Sequence, residues 1–406
     1  MAFSEKQRKI LKFPYSEYDA LICDGAVRSG KTSIMSLSFF LWAMGNFNNC
    51  AFAYCGKSVG AVERNIITPL LSITYLKQNF EIRYNRSEHV IIAGRGQKEN
   101  RFYCFGGKDE SSYTLIQGVT LAGVMLDEVA LMPRSFVEQA LARCSVTGSK
   151  MWFNCNPENP RHWFRQEWIL EAEKKNALHI HFMMDDNPSL SEDTKERYRN
   201  MYSGVFYQRY ILGQWVMSEG VIYDMFNQDI NTYRPGEEPI WMKSRSTRTI
   251  ACDYGTTNPM RFLDIYDDGE TVRVVREYSW DSRKEHRQKT DKEYADDFMN
   301  FMGDEYCAAI VDPSAASFIA ELRSRGVYVI PADNDVMDGI RKTSTLLKQG
   351  RIQVSTMCAA MIDEFGTYLW DEKASLNGKE QPVKQNDHSM DALRYYVNSL
   401  PAWRFE

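Results

Sequence analysis

The chain has no long hydrophobic run. No stretch approaches the roughly 18 uninterrupted apolar residues that a membrane-spanning helix requires, and Met1 to Lys12 is polar and basic rather than signal-like. A membrane anchor is therefore not expected, and the chain is expected to stay in the cytosol. Paired cysteines are missing as well: the nine Cys are odd in number, scattered and without a CxxC pair, which argues against a disulfide framework and a zinc site. Cys23, Cys55, Cys104, Cys155 and Cys252 lie in apolar, strand-like runs and read as buried free thiols. A uniformly basic body is also lacking. Residues 1–220 carry 26 Lys and Arg against 23 Asp and Glu, a charge of +3, while residues 221–406 carry 23 against 31, a charge of −8. A DNA partner, if there is one, is not gripped by a basic surface all round, and the acidic second half directs attention to metal-binding carboxylates. What remains is ordinary for a globular chain of 406 residues, with 44% hydrophobic and 25% charged residues, enough for two or three domains.

Against that background one stretch stands out. Gly25, four residues, then Gly30, Lys31 and Thr32 has the spacing of a phosphate-binding P-loop, preceded by the apolar run Ala20 to Cys23 and followed by a helical pattern from Ser33 to Trp42. Glycines at both ends let backbone N–H groups converge on a phosphate, and the following helix aims its positive N-terminus at the anion. Lys31 supplies a cation for the outer phosphates and the Thr32 hydroxyl a hard oxygen for magnesium. An ordinary glycine turn before a helix is the bland alternative, and the strand and helix on either side weigh against it. Ser29 and Arg28 lie within the loop. The Arg28 guanidinium suits the charge of a transferring phosphate, or equally solvent or an acid partner.

Alternating segments follow: a strand at Ala51 to Cys55, a helix over Val59 to Tyr75 interrupted near Pro69, a hairpin from His89–Ile92 and Arg101–Phe105, and strands ending at Asp127 and Asn154. This order predicts a largely parallel α/β sheet. The run Leu121 to Leu126 ends in Asp127-Glu128, which suits a nucleotide hydrolase: Asp127 for the magnesium, Glu128 to deprotonate the attacking water. Asn154 and Asn156 at the next strand end are placed to sense the outer phosphate, although Asn-Pro is also a common turn. Gln7, ahead of the first strand, reads as part of a solvated helix, with recognition of the adenine edge as the alternative.

The pattern changes at Asn187. A helical linker segment covers about 187–226, residues 221–246 read as the linker proper, and 247–406 as the second domain, leaving 1–220 as the first. In the second domain a strand carries Asp253, a hairpin turns at Asp267-Asp268-Gly269, a strand at Ala308 to Val311 ends in Asp312, and Asn386 to Tyr396 reads as a capped helix with Asp387, His388 and Asp391 on one face. That order of elements is the ribonuclease H-like nuclease fold. Two carboxylates about 4 Å apart repel by roughly 4 kcal/mol at an effective dielectric of about 20, so Asp253, Asp312 and Asp391 are expected to converge around divalent cations. His388 reads as a participant, a core histidine or a carboxylate partner. Basic residues at Arg283, Lys284, Arg287, Lys289, Arg341, Lys342 and Lys348 read as phosphate contacts or solvated faces.

Taken together, Gly25 to Thr32, Gln117-Gly118 with Ala122 to Glu128, Asn154 to Trp163, Asp186 to Pro188, Arg209 to Tyr223 and Asp387 to Tyr395 resemble the large terminase subunit of tailed bacteriophages over nearly the whole chain. The resemblance implies an α/β chain with a P-loop ATPase domain of the RecA-like, ASCE type followed by a ribonuclease H-like nuclease domain. It implies a motor that uses ATP and Mg2+ to translocate double-stranded DNA into a procapsid, and a nuclease using Mg2+ or Mn2+ that cuts the concatemer. Implied partners are the portal protein, a small terminase subunit and further copies of the chain in a ring, with no membrane, in the host cytoplasm at the portal vertex. By motif, Gly25, Ser29, Gly30, Lys31, Thr32, Asp127 and Glu128 match the ATPase site and Asn156 the coupling motif. Asp253, Asp312 and Asp391 match the nuclease metal ligands, with His388 beside them. Arg28 matches an arginine acting within a subunit or on its neighbour. Asp387 is an added acid, so that it and Asp391 both stand as candidate ligands.

Two other functions would use some of these parts. An ATP-driven helicase or recombination nuclease would show a second RecA-like half, for which the second half of the chain is too short. A nucleotide-switched scaffold that docks on portal or DNA without turnover has no need of a base at Glu128.

Overall fold

The computed structural model describes residues 3–255, 259–385 and 387–405. It divides into two compact units, Met1–Tyr198 with Tyr207–Met217, and Arg199–Phe206 with Ser218–Glu406.

The first unit is built on eight strands: β1 Ala20–Gly25, β2 Ala51–Gly56, β3 Glu81–Asn85, β4 Val90–Arg95, β5 Lys98–Gly106, β6 Gly123–Asp127, β7 Lys150–Asn154 and β8 Ala177–Phe182. Their order across the sheet is β3-β4-β5-β2-β6-β7-β1-β8, parallel from β5 to β8, with β3, β4 and β5 antiparallel to one another. The central strands are apolar runs because both faces are covered. The helix Lys31–Asn46 lays Phe39, Phe40 and Trp42 over one face, with Phe39 and Trp152 ring centroids 4.9 Å apart and Phe40 and Phe102 5.2 Å apart. Two strands escape the sequence pattern. In β8 the histidines at 179 and 181 interrupt the apolar signal, and β3 is an edge strand of exposed or half-buried residues.

The helical stretch from Val59 does not break near Pro69. It runs to Ser72, passes through a π turn at Glu63–Ile67 and ends where Ile73 turns extended (ψ 115°). Pro69 follows the π turn directly, so the N–H it lacks is missing where the α-helical ladder is already interrupted.

The second unit carries β9 Thr232–Tyr233, β10 Thr247–Asp253, β11 Met260–Asp267, β12 Val272–Trp280, β13 Ala308–Val311, β14 Val329–Pro331 and β15 Ile352–Ser355, in the order β14-β13-β10-β11-β12-β15-β9. An antiparallel meander β10-β11-β12 is extended by β13 and β14, parallel to β10 and to each other; this is the ribonuclease H-like arrangement. The helix His388–Asn398 packs on β10 and β11, and Asp387 occupies its N-cap position; Asn386 lies outside the described residues.

Residues 221–246, expected as a linker, belong to the second unit. Thr232–Tyr233 pairs with β15 as the edge strand, Val221 bridges Leu369, and the buried Tyr223 stacks on Tyr368 at 5.5 Å. Proline, glycine and paired acids around Pro235 mark a surface turn rather than a domain boundary. Residues 199–206 also fall with this unit: the Lys348 ammonium donates to the Tyr202 carbonyl at 2.5 Å.

Candidate functional site

The loop from Gly25 to Thr32 lies between the end of β1 and the helix Lys31–Asn46. Gly25 (φ +122°) has its Cα so close to β8 that a Cβ would sit 1.9 Å from the Phe182 carbonyl oxygen. Gly30 (φ +81°) faces Gln7 and Asn187, and a Cβ there would meet Gln7 Nε2 at 2.9 Å. Gln7 is thus not solvated: it is 4% exposed, closes a capping box with Ser4, and lies against the loop. The Asn187 amide donates to the Arg28 carbonyl at 2.7 Å. Arg28 itself is exposed at φ +56°, its guanidinium 5.3 Å over the Tyr198 ring.

Lys31 is buried, and burial pulls its pKa down. Its ammonium donates to the Gly25 and Ala26 carbonyls at 3.0 and 2.7 Å, to Ser29 Oγ at 3.2 Å and to Asn156 Oδ1 at 3.4 Å. These are oxygens of the cradle itself, so the cation is held where phosphate oxygens would compete for it. Beneath the loop is a group that sequence reasoning missed. Asp24, 1% exposed, accepts hydrogen bonds from His179 Nε2 at 2.8 Å, His181 Nδ1 at 3.0 Å and Trp215 Nε1 at 2.7 Å. Burial alone would raise this acid, but the three donors hold it well below the usual carboxylate range.

Because β7 lies between β1 and β6, the ends of three parallel strands converge. The Thr32 hydroxyl donates to Asp127 Oδ1 at 3.2 Å, and Asn154 Nδ2 reaches both Thr32 Oγ1 at 2.8 Å and Asp127 Oδ1 at 2.5 Å. Asn154 Oδ1 is buried and has no hydrogen-bond partner among the described residues, in a place where a hydrated cation would satisfy it. A hydroxyl, a carboxylate and a free amide oxygen are donors that suit magnesium. Glu128 follows in the left-handed conformation at φ +56°, a strained position of the kind that collects at working sites. Burial first, and then the Asp127 charge, push its carboxyl up to about 7, against the pull of Lys57, Lys31 and Arg64. Asn156 meets Lys31, but Asn154 makes the closer junction.

In the second unit Asp253 ends β10 and Asp312 follows β13, its parallel neighbour. The Tyr395 hydroxyl spans the two acids, 3.4 Å from Asp253 Oδ1 and 2.9 Å from Asp312 Oδ2. His388 Nδ1 is 2.9 Å from Asp253 Oδ2, which makes it a carboxylate partner. Burial, with Asp391 and Asp387 adding like charge, raises Asp253 to about 6 although His388 pulls it back. Burial would lower His388, and Asp253 more than offsets that, so its pKa is raised. Asp312 is held low despite its burial by the Ser314 N–H, Tyr395 and Asn334.

Asp391 adds its charge to Asp253, while its own oxygens are held by cations. Its Oδ1 faces Arg394 Nη2 at 3.0 Å and its Oδ2 faces Lys384 Nζ at 3.2 Å, and Lys384 also lies 3.4 Å from Asp387 Oδ2. Among the described residues no three His, Cys, Asp or Glu side chains converge as a metal-binding group. Two carboxylates, Asp253 and Asp312, supply hard oxygens that fit a divalent cation. The charge of the remaining acids is balanced by Lys384 and Arg394, residues the sequence reading did not weigh. Several of the basic residues are spoken for: Arg287 pairs with Glu293, Lys289 with Asp297, and Arg341 and Lys342 with Asp338.

Residues 22–229 match the family described as terminase large subunit, T4likevirus-type, N-terminal. The large terminase of a thermophilic bacteriophage is 49% identical, superposes with a TM-score of 0.93, and the match covers 98% of this chain and 99% of that one. The chain belongs to the large terminase family. The thermophilic phage's terminase has also been solved with ADP (48% identity, TM-score 0.91) and with ATP-gamma-S (49%, 0.89), each match covering 98% of this chain and 99% of that one. The terminase large subunit of Escherichia phage T5 is 26% identical over 292 residues, which are 68% of this chain and 65% of that protein, so the match spans under two thirds of that relative. Among the described residues of this terminase, no helix is long and apolar enough to cross a membrane.

Proposed function

We propose that this terminase is an ATP-driven motor that moves double-stranded DNA into a procapsid, with a metal-dependent endonuclease in its second unit. The carrying observation is the junction of Thr32, Asp127 and Asn154 beside Lys31, with Glu128 at about 7 on the following residue. The nucleotide-bound forms of the thermophilic phage's terminase support ATP as the ligand. Thr32 and Asp127 would hold magnesium, which supplies charge neutralisation for the outer phosphates. The Lys31 ammonium would exchange its loop carbonyls for phosphate oxygens as acceptors. Glu128, near neutrality, takes the proton of the attacking water. Asn156, on the Lys31 ammonium, links the phosphates to β7. Arg28 would leave Tyr198 to reach a phosphate of its own or a neighbouring subunit.

In the second unit Asp253 and Asp312 would hold magnesium or manganese, which supplies Lewis-acid activation of water and of the phosphodiester. Tyr395 keeps the two carboxylates at one spacing and His388 fixes the orientation of Asp253. Partners implied by the family, the portal, a small subunit and further copies in a ring, belong to the same proposal. So does its place in the host cell, at the capsid vertex.

The test separates the two activities. Asp312→Ala is expected to lose metal-dependent plasmid cleavage and keep ATP hydrolysis, and Glu128→Ala to do the reverse. Undiminished cleavage by the first variant removes the nuclease assignment, and undiminished hydrolysis by the second returns the first unit to a nucleotide-switched scaffold.

A further inference from the structure

The π turn at Glu63–Ile67 is unexplained by the P-loop motifs. A π turn holds one residue more than an α turn, forfeits good hydrogen-bond geometry and persists mainly where the displaced side chain is used. Here its signature bond runs from the Thr68 N–H to the Glu63 carbonyl. Pro69 has no N–H, so the Asn65 carbonyl four residues earlier lacks an α-helical partner in any case, which lowers the cost of widening the helix at this point. The widened turn keeps Ile66 and Ile67 buried in the core. It also brings Asn65 Nδ2 to 3.3 Å from Asp127 Oδ2.

That contact completes a pattern. Asp127 Oδ1 takes Thr32, in the first turn of the helix Lys31–Asn46, and Asn154, at the end of β7. Oδ2 takes Asn65, carried by a separate helix. Rotation about the terminal torsion of an aspartate is soft, and one held oxygen leaves the plane of the carboxylate undetermined. Two held oxygens fix it.

We infer that the π turn Glu63–Ile67 forms a third wall of the nucleotide site, and that Asn65 is a positioning residue that sets the plane of the Asp127 carboxylate for its cation. The inference rests on the reading of the first unit as an ATPase. Outer partners of a ligand carboxylate commonly change metal affinity or turnover by about 10- to 100-fold when removed.

The experiment uses the full chain with Asn65→Ala and the near-isosteric Asn65→Asp, which removes the donor without removing volume. Binding of Mn2+ in the presence of ADP, followed by its electron paramagnetic resonance signal, is expected to weaken about tenfold in Asn65→Ala and further in Asn65→Asp, where a second carboxylate faces Asp127. In the ATPase assay kcat is expected to fall about tenfold with the KM for ATP within about twofold, and the half-saturating magnesium concentration to rise. Wild-type Mn2+ affinity in both variants overturns the inference, as does a loss confined to melting temperature. If the wild-type chain binds Mn2+ with ADP but does not hydrolyse ATP, the ATPase reading fails while the binding series still decides the role of Asn65.

Discussion

At the scale of single residues, the two buried carboxylates Asp127 and Asp253 are held by different means. Asp127 is buried, and burial raises its pKa; the amides of Asn154 and Asn65 and the Thr32 hydroxyl favour the charged form that a cation needs. Asp253 is buried too, and there the His388 imidazole and the Tyr395 hydroxyl work against the like charge of Asp391 and Asp387, while the ammonium of Lys384 and the guanidinium of Arg394 stand on Asp391. Glu128 sits between these cases. With its carboxyl at about 7, the fraction able to accept a proton from water falls about tenfold for each pH unit below that value, so kcat for ATP hydrolysis is expected to climb from pH 5 and level off above pH 7. A profile flat across pH 5 to 8 would count against Glu128 as the base. Residue identity at these positions was legible in the sequence because the chemistry restricts the types: Lys31, Thr32, Asp127 and Glu128 are few-choice positions. Asp24 was not legible. Its partners His179, His181 and Trp215 are 155, 157 and 191 residues away, and a lone Asp ahead of a glycine loop carries no signal of its own.

At the scale of elements, the decisive feature is strand order. β7 follows β6 in the chain but lies between β6 and β1, and only that insertion puts Asn154 within reach of both Thr32 and Asp127. Local pattern reveals strands, not their neighbours, so Asn154 and Asn156 read alike at the strand end and the resemblance alone points to Asn156. The close approach of β1 and β8 is a second example. Gly25→Ala must place a methyl group on the Phe182 carbonyl and hold φ at +122°, a combination expected to destabilise the first unit by about 3 kcal/mol or more. Gly45→Ala, at a helical position where an added Cβ meets nothing within 4 Å, is expected to be neutral or stabilising by up to about 1 kcal/mol. Denaturant titration of the two variants checks the contrast; equal midpoints would mean that β8 yields to the methyl group. The π turn belongs to this scale as well. Pro69 signals a disturbed helix in the sequence, but the disturbance is absorbed upstream, where the core fixes Ile66 and Ile67.

At the scale of the whole molecule, the chain passes between the units at residues 198/199, 206/207 and 217/218, so a single cut does not separate them cleanly. A fragment 247–406 loses the edge strand β9 and the buried Ile222 and Tyr223, and a fragment starting at 218 loses the buried Met201, Tyr202 and Phe206. Fragment 199–406 keeps all of these. It is expected to melt several degrees above fragment 247–406 and to aggregate less, which differential scanning calorimetry and light scattering would show; equal melting temperatures would mean that residues 199–246 contribute nothing to the second unit. By itself the sequence determined that a P-loop unit precedes a ribonuclease H-like one, since a glycine-bounded phosphate loop, a strand ending in two acids and a late set of acids on strand ends and one helix are written locally. It also determined which strands would be buried on both faces, through unbroken apolar runs. Only the tertiary structure decided which acid faces which cation. Carboxylate partners are chosen by strand order and helix packing, and a one-dimensional pattern does not encode the approach of Tyr395 to Asp253 across 142 residues or to Asp312 across 83. For the same reason the units part at residues 198/199, 206/207 and 217/218, rather than at the proline and glycine turn where composition changes.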